Sequence, residues 1–191
     1  MTLHARTDSS KNTAAGYILE WLDSIVISIF VVITMFTFFF SIVKVDGSSM
    51  ENTMFDSDRL IISDFCYTPK NGDIVIISRN YDNLEADDEQ NNFSEPIVKR
   101  VIAVAGQRVR ISDGSVYVNG EKLIEDYTTT PTDKRQLEGE QTVPEGCIFV
   151  LGDNRAVSHD SRMLDIGMVD ERYVMGKVLC RFLPMSEFKI F

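Results

Sequence analysis

Between Ser24 and Val43 the chain runs for 20 residues without a charge, a glycine or a proline. Seven Ile or Val residues precede Met35, and Phe36, Phe38, Phe39 and Phe40 follow closely. At the helical rise such a run covers about 30 Å, the hydrocarbon thickness of a bilayer. Tyr17 and Trp21 stand just before it, where an interfacial aromatic belt lies. A cleaved signal sequence has a shorter apolar core and then a small-residue cleavage site. Here Lys44-Val45-Asp46-Gly47-Ser48-Ser49-Met50 follows, with no A-x-A-like site. The expectation is a retained transmembrane helix over 21–43, a tail over 1–20 and a head over 44–191. Arg6 and Lys11 before the span nearly balance Lys44 after it, so basic residues give little guidance on orientation.

The whole chain has 191 residues and a formal charge of -10, and the head holds 26 of the 29 acidic residues against 17 of the 19 basic ones. That balance disfavours a nucleic-acid binder, whose footprint is basic. Cys66, Cys147 and Cys180 are too few for a disulfide scaffold and lack metal-ligand spacing. Their apolar neighbours suggest small buried hydrophobes, and the pairing of Cys147 with Cys180 stays open. Only His159 shares a compartment with the head, since His4 precedes the span, so a two-histidine metal site is not expected. No glycine-rich nucleotide loop occurs, and no cofactor is expected.

Past residue 44 the apolar residues fall into short segments at 58–65, 72–78, 97–104, 108–111, 147–151 and 174–182. Most are rich in Ile and Val and bounded by Gly, Asp, Asn or Pro, which is the punctuation of strands. Val116-Tyr117-Val118-Asn119-Gly120-Glu121-Lys122-Leu123 reads as a hairpin on a type I′ Asn-Gly turn. The expected head is an all-β barrel or sandwich of short, mostly antiparallel strands. Two polar stretches, 80–95 and 128–141, read as long surface loops.

Three polar clusters carry the candidate chemistry. The first, Val45 to Met54, holds Ser48 and Ser49; the second is Lys99-Arg100 within an apolar strand; the third runs from Gly152 to Arg162. Strand alternation puts Lys99 on the face of Ile97 and Val101, opposite Val98 and Arg100. Desolvation on that face would disfavour the ammonium and leave a neutral amine as a general base. A lysine snorkelling from an edge strand fits the same pattern.

Together the clusters resemble the bacterial type I signal peptidases, in the single-span, Gram-positive-like form. The Ser-Met-x-Pro-Thr motif of that family corresponds to Ser49-Met50-Glu51-Asn52-Thr53, its Lys-Arg pair to Lys99-Arg100, and its third motif to Gly152-Asp153-Asn154-Arg155 and Ser158-His159-Asp160-Ser161-Arg162. The order behind one anchor is far more specific than any single motif. The resemblance implies Ser49 as nucleophile and Lys99 as general base, with Ser158 orienting the lysine amine. It implies an Asp160–Arg162 salt bridge supporting the loop, and structural parts for Arg100 and Asp153. The Ser49 N–H would donate to the oxyanion. The second donor is open, because Gly47 stands where one branch has serine, and Ser48 is the alternative. Asn52 replaces the usual proline, and a turn of lower rigidity is expected.

The resemblance also implies a cytoplasmic N-terminus, a catalytic domain on the outer membrane face, and membrane-bound preproteins as partners. Signal peptides would be cut after small-x-small sites. Substrate would bind as an extended strand against Val45, Met50, Met54, Ile97 and Val98. Three other readings compete. One is a self-cleaving Ser/Lys peptidase, which the anchor disfavours. Another is a Ser-His-Asp hydrolase on His159 and Asp160, whose adjacency makes the required geometry difficult. The last is a non-enzymatic anchored β domain.

Overall fold

The apolar run folds as α1 (Ala14–Phe39), and its side chains from Tyr17 through Phe38 are almost all exposed. Three hydroxyls within it bond along the helix itself: Ser24 donates to the Glu20 carbonyl, Ser28 to that of Ser24 and Thr37 to that of Ile33. By length and composition this helix can cross a bilayer. The computed structural model describes residues 14–78 and 96–191 and divides into two compact units, ending and beginning at Phe40 and Ser41. The loop expected over 80–95 lies outside the described residues.

The helix departs from the expected span at both ends. It already includes residues 14–20, and it stops before Ser41–Lys44, which is strand β1. Ile42 and Val43 suit either element. What decides is a partner, since β1 pairs antiparallel with β2 (Arg59–Ser63) from Ser41↔Ile62 to Lys44↔Arg59.

The second unit is built of antiparallel pairs. Its larger sheet also contains β3 (Ile74–Ile77), β4 (Ile97–Val104), β9 (Cys147–Leu151), β10 (Val169–Asp170), β11 (Val174–Leu183) and β12 (Lys189–Ile190). The order is β1-β2-β11-β3-β4-β9-β10, with β12 on β11. The smaller sheet, β7-β6-β5-β8, is formed by β5 (Arg108–Ser112), β6 (Ser115–Val118), β7 (Glu121–Lys122) and β8 (Glu140–Thr142). At the β6–β7 turn Asn119 and Gly120 both have positive φ, 54° and 85°, as a type I′ turn requires. The stretch expected as a loop to residue 141 ends in β8, because Gln141 pairs with Val109.

Every residue of β3 is buried, so the larger sheet is covered on both faces. Ile74, Ile76 and Val98 pack on one side with Val45, Met50 and Met54; Val75, Ile77, Val101, Ile148 and Val150 pack on the other. A register shift between Val101 and Ala103 lets Ile102 and Ala103 both enter a third cluster with Val109, Ile111 and Val116 of the smaller sheet. The three cysteines are free. Cys147 and Cys180 are half-buried, but Cys66 is exposed, because its positive φ of 49° places it in the turn after β2 rather than within the strand.

Candidate active site

The turn after β1 presents Ser49. It is closed by Glu51 N–H donating to the Ser48 carbonyl and by Thr53 and Met54 N–H donating to the Met50 carbonyl. Met50 and Met54, one turn apart, face inward and are fully buried. That inward anchoring turns Ser49 to the other side. Asn52 has φ +85°, beyond the reach of a proline ring, which holds φ near about −65°. The turn is therefore built differently from one with proline at this position. Asp58 holds its far end, accepting from Phe55 N–H at 2.9 Å and from buried Arg181 at 2.8 Å.

Strand β4 brings Lys99 to the turn. Val75 lies opposite Lys99 and Ile76 opposite Val98, so Lys99 and Val98 project to opposite faces. The Lys99 side chain is 3% exposed, and its Nζ donates to Ser49 Oγ at 2.8 Å. Beside the pair lies a cleft of about 240 Å³ lined by Asp46, Gly47, Ser48, Ser49, Ile97, Lys99, Val157 and His159. Among the described residues the Ser48 and Ser49 N–H groups donate to no backbone acceptor, and both residues line the cleft. Gly47 needs its glycine for a φ of +84°, and its N–H is taken by Asp56 at 3.0 Å.

The third cluster clamps the turn from behind. Asn154 N–H donates to the Ser49 carbonyl at 3.0 Å, while its side-chain amide donates to the Ser48 carbonyl and to Glu51. Asp153 is fully buried and receives Arg100 in a two-bond fork at 2.8 and 2.6 Å, together with the Thr53 hydroxyl. Burial opposes the Arg100 charge, but Asp153 outweighs it and holds the guanidinium above its ordinary pKa. Asp160 and Arg162 form the expected salt bridge, both fully buried, at 2.8 and 2.9 Å. Burial pushes the Asp160 carboxyl up, yet Arg162 overrides it and the net direction is down.

Several expectations need correction. Ser158 is fully buried, and among the described residues its hydroxyl makes no close hydrogen bond, though it stands near enough to Asp160 to help hold that carboxyl down. Ser158 also packs on Gly152, where a Cβ would stand 2.2 Å from its Oγ and 2.5 Å from the Ser49 carbonyl oxygen. Of the five residues expected to line the substrate pocket, only Ile97 does. Val45, Met50, Met54 and Val98 belong to the core beneath, since apolar type alone does not distinguish a core position from a cleft wall. Asp160 is committed to Arg162, and exposed His159 meets Asp165 at 2.6 Å, so the two do not form the pair a Ser-His-Asp reading needs.

A further network went unread in the sequence. Buried Arg155 donates to the Gly152 carbonyl and Thr132, and forms an ion pair with Glu125. Tyr127 donates to Glu125 at 2.8 Å, and its ring lies 3.9 Å from the Arg100 guanidinium and 5.9 Å from that of Arg155. Burial and then Glu125 push the Tyr127 hydroxyl upward in pKa, so it remains a donor. The half-buried side chains alternate at Leu123, Glu125 and Tyr127, with Ile124 and Asp126 exposed between them.

Known proteins resemble this chain over most of its length. A signal peptidase I from Bacillus licheniformis is 30% identical over 194 residues, covering 96% of this chain and 98% of the relative. Signal peptidase IB of Staphylococcus aureus strain COL is 33% identical over 191 residues, covering 90% and 93%. A crystal structure of a signal peptidase I from Enterococcus faecalis V583 is 30% identical, covers 58% of this chain and 97% of that one, and superposes with a TM-score of 0.43. Residues 18–183, which take in the helix, the serine turn, the lysine strand and the clamping loop, match the family described as signal peptidase, peptidase S26, and the chain belongs to that family.

Proposed function

We propose that the chain is a membrane-anchored serine endopeptidase that removes N-terminal signal peptides from exported preproteins, with Ser49 as nucleophile and Lys99 as general base. The observation that carries the assignment is the 2.8 Å contact between Lys99 Nζ and Ser49 Oγ, made by a lysine that is 3% exposed. Burial disfavours an ammonium, and a neutral amine can take the serine proton as Oγ attacks the scissile carbonyl. The resulting ammonium then protonates the leaving amine, and the regenerated amine activates the water that hydrolyses the ester. The Ser49 N–H, joined by the Ser48 N–H or hydroxyl, stabilises the oxyanion. Asn154 holds both carbonyls of this turn, and so holds the donors beside them in place.

Helix α1 anchors the protein, the N-terminus is cytoplasmic, and the catalytic unit faces outward, where exported chains emerge. The narrow cleft with Ile97 and Val157 on its walls suits small residues before the cut, in an extended substrate. Cleavage of a preprotein bearing an A-x-A site by wild type, Ser49→Ala and Lys99→Ala tests the reading. Both variants are expected to lose turnover by about 10³-fold or more. In the wild type, activity is expected to fall on the acidic side as the amine becomes protonated. Activity that stays level down to about pH 5, or a Lys99→Ala enzyme that turns over normally, would overturn the assignment.

A further inference from the structure

The three clusters that build the site come from distant parts of the chain, and one polar segment touches all of them. Asn52, in the serine turn, donates from its side-chain amide to Thr129 at 3.3 Å. Arg100, next to Lys99 on β4, stacks on the Tyr127 ring at 3.9 Å. Arg155, in the clamping loop, pairs with Glu125 and donates to Thr132. The segment is itself fastened to the smaller sheet: Leu123 N–H donates to the Val116 carbonyl, Thr132 N–H to the Gly114 carbonyl, and Leu137 enters the core.

We infer that the segment from Glu125 to Thr132 is a strap that sets the separation of Ser49 and Lys99, with Tyr127 as its positioning residue. The inference rests on the Ser/Lys reading above. Tyr127 reaches the dyad through two routes. Its ring lies on Arg100, whose fork to Asp153 also fixes Thr53, four residues beyond the nucleophile. Its hydroxyl holds the Glu125 carboxylate that engages Arg155, and Arg155 fixes the carbonyl of Gly152, the residue on which the Ser49 carbonyl and Ser158 pack. Guanidinium–aromatic stacking and a charged fork are directional contacts. A side chain that only filled space would hold neither arginine at a fixed angle. Tyr127 touches neither reacting atom. Its expected effect is on how often Nζ and Oγ stand within bonding distance.

Steady-state kinetics of the full chain in detergent, across pH, test this with Tyr127→Phe, Tyr127→Leu and Tyr127→Ala beside Ser49→Ala. Loss of the ring is expected to lower kcat by about tenfold or more, leave KM within about twofold, and move the acidic limb of the pH profile, since loosened geometry alters the surroundings of the amine. Tyr127→Phe keeps the stacking face but loses the hydroxyl route to Glu125, so its kcat is expected to fall between wild type and Tyr127→Leu. Tyr127→Leu keeps apolar volume and is read in place of the alanine variant if that one fails to fold. The strap is overturned if Tyr127→Leu or Tyr127→Ala keeps wild-type kcat, if kcat falls only in step with the folded fraction while the pH limb stays put, or if Tyr127→Phe either matches wild type or is as impaired as the others, since one of the two routes would then carry nothing. An active Ser49→Ala enzyme would instead overturn the dyad reading, whatever Tyr127 does.

Discussion

Two side-chain pairs, each with a carboxylate as one partner, begin at neighbouring residues of one loop and live in opposite surroundings. Asp160 and Arg162 are both 0% exposed at the side chain and share a two-bond fork, and Arg162 also donates to the Arg155 carbonyl. His159 and Asp165 are 43% and 42% exposed and share one bond on the rim of the cleft. The loop alternates, so Ser158 and Asp160 turn inward while Val157 and His159 turn to the cleft. A buried pair of this kind is a structural commitment, because removing one partner strands the other charge without water. The exposed pair exchanges its bond with solvent and adds little to stability. The same stretch thus supports the site with one set of side chains and lines the cleft with the next.

The largest effect expected from breaking this contrast is at Asp160. Asp160→Ala leaves Arg162 buried without its fork and is expected to destabilise the catalytic unit by about 3–5 kcal/mol, read as a lowered midpoint in chemical denaturation. A shift below about 1 kcal/mol would show that the buried pair behaves like the exposed one. The same pair is expected to respond to acid. Its carboxyl lies below the unfolded value, so its contribution is present above the ordinary carboxylate range and is lost as pH falls through the depressed value. In the Asp160→Asn variant that part of the acid sensitivity should disappear from pH-dependent unfolding. Gly152→Ala comes next, since its Cβ would overlap Ser158 Oγ and the Ser49 carbonyl oxygen. We expect a cost of about 1–3 kcal/mol, with a fall in kcat larger than the loss of folded protein explains. A fully active Gly152→Ala enzyme would mean that the loop does not hold the serine turn. The smallest effect belongs to His159→Ala, expected to change stability by less than about 1 kcal/mol and to impair cleavage far less than Lys99→Ala. Loss of turnover equal to that of Ser49→Ala would revive a histidine-based mechanism.

The parts of this molecule legible beforehand were those with local causes. Residues 97–104 and 147–151 are rich in β-branched or apolar residues between breakers, broken in the first only by Lys99-Arg100, and both fold as strands with those limits. The Asn119-Gly120 turn demanded positive φ and has it. Lys99 stood out because a charge shared a strand face with Ile97 and Val101. Other features depend on partners distant in sequence. β1 was hidden because Ile42 and Val43 continue the apolar run, and only pairing with β2 separates them from the helix. β10 and β12 are two residues each and exist through β9 and β11. The expected substrate pocket erred for a related reason. Met50 and Met54 sit next to the nucleophile in sequence, yet the turn points them into the core. Thr129 and Thr132 read as loop composition and Tyr127 drew no reading at all, and their contacts to Asn52, Arg155 and Arg100 arise only on folding.

The strand order has a consequence for the birth of the enzyme. β11, the last long strand in the chain, lies between β2 and β3, which are consecutive in sequence but not in the sheet. A growing chain emerges N-terminal part first, so Ser49 and Lys99 both exist before the strand that must slot between their supporting neighbours has been made. Pairings at such separation close slowly. Until residues 174–183 arrive, β2 and β3 each present an unfilled edge, and the serine turn lacks Arg181 beneath it. The serine turn and the lysine strand therefore gain their full support only once residues 174–183 have been made and have paired with both neighbours.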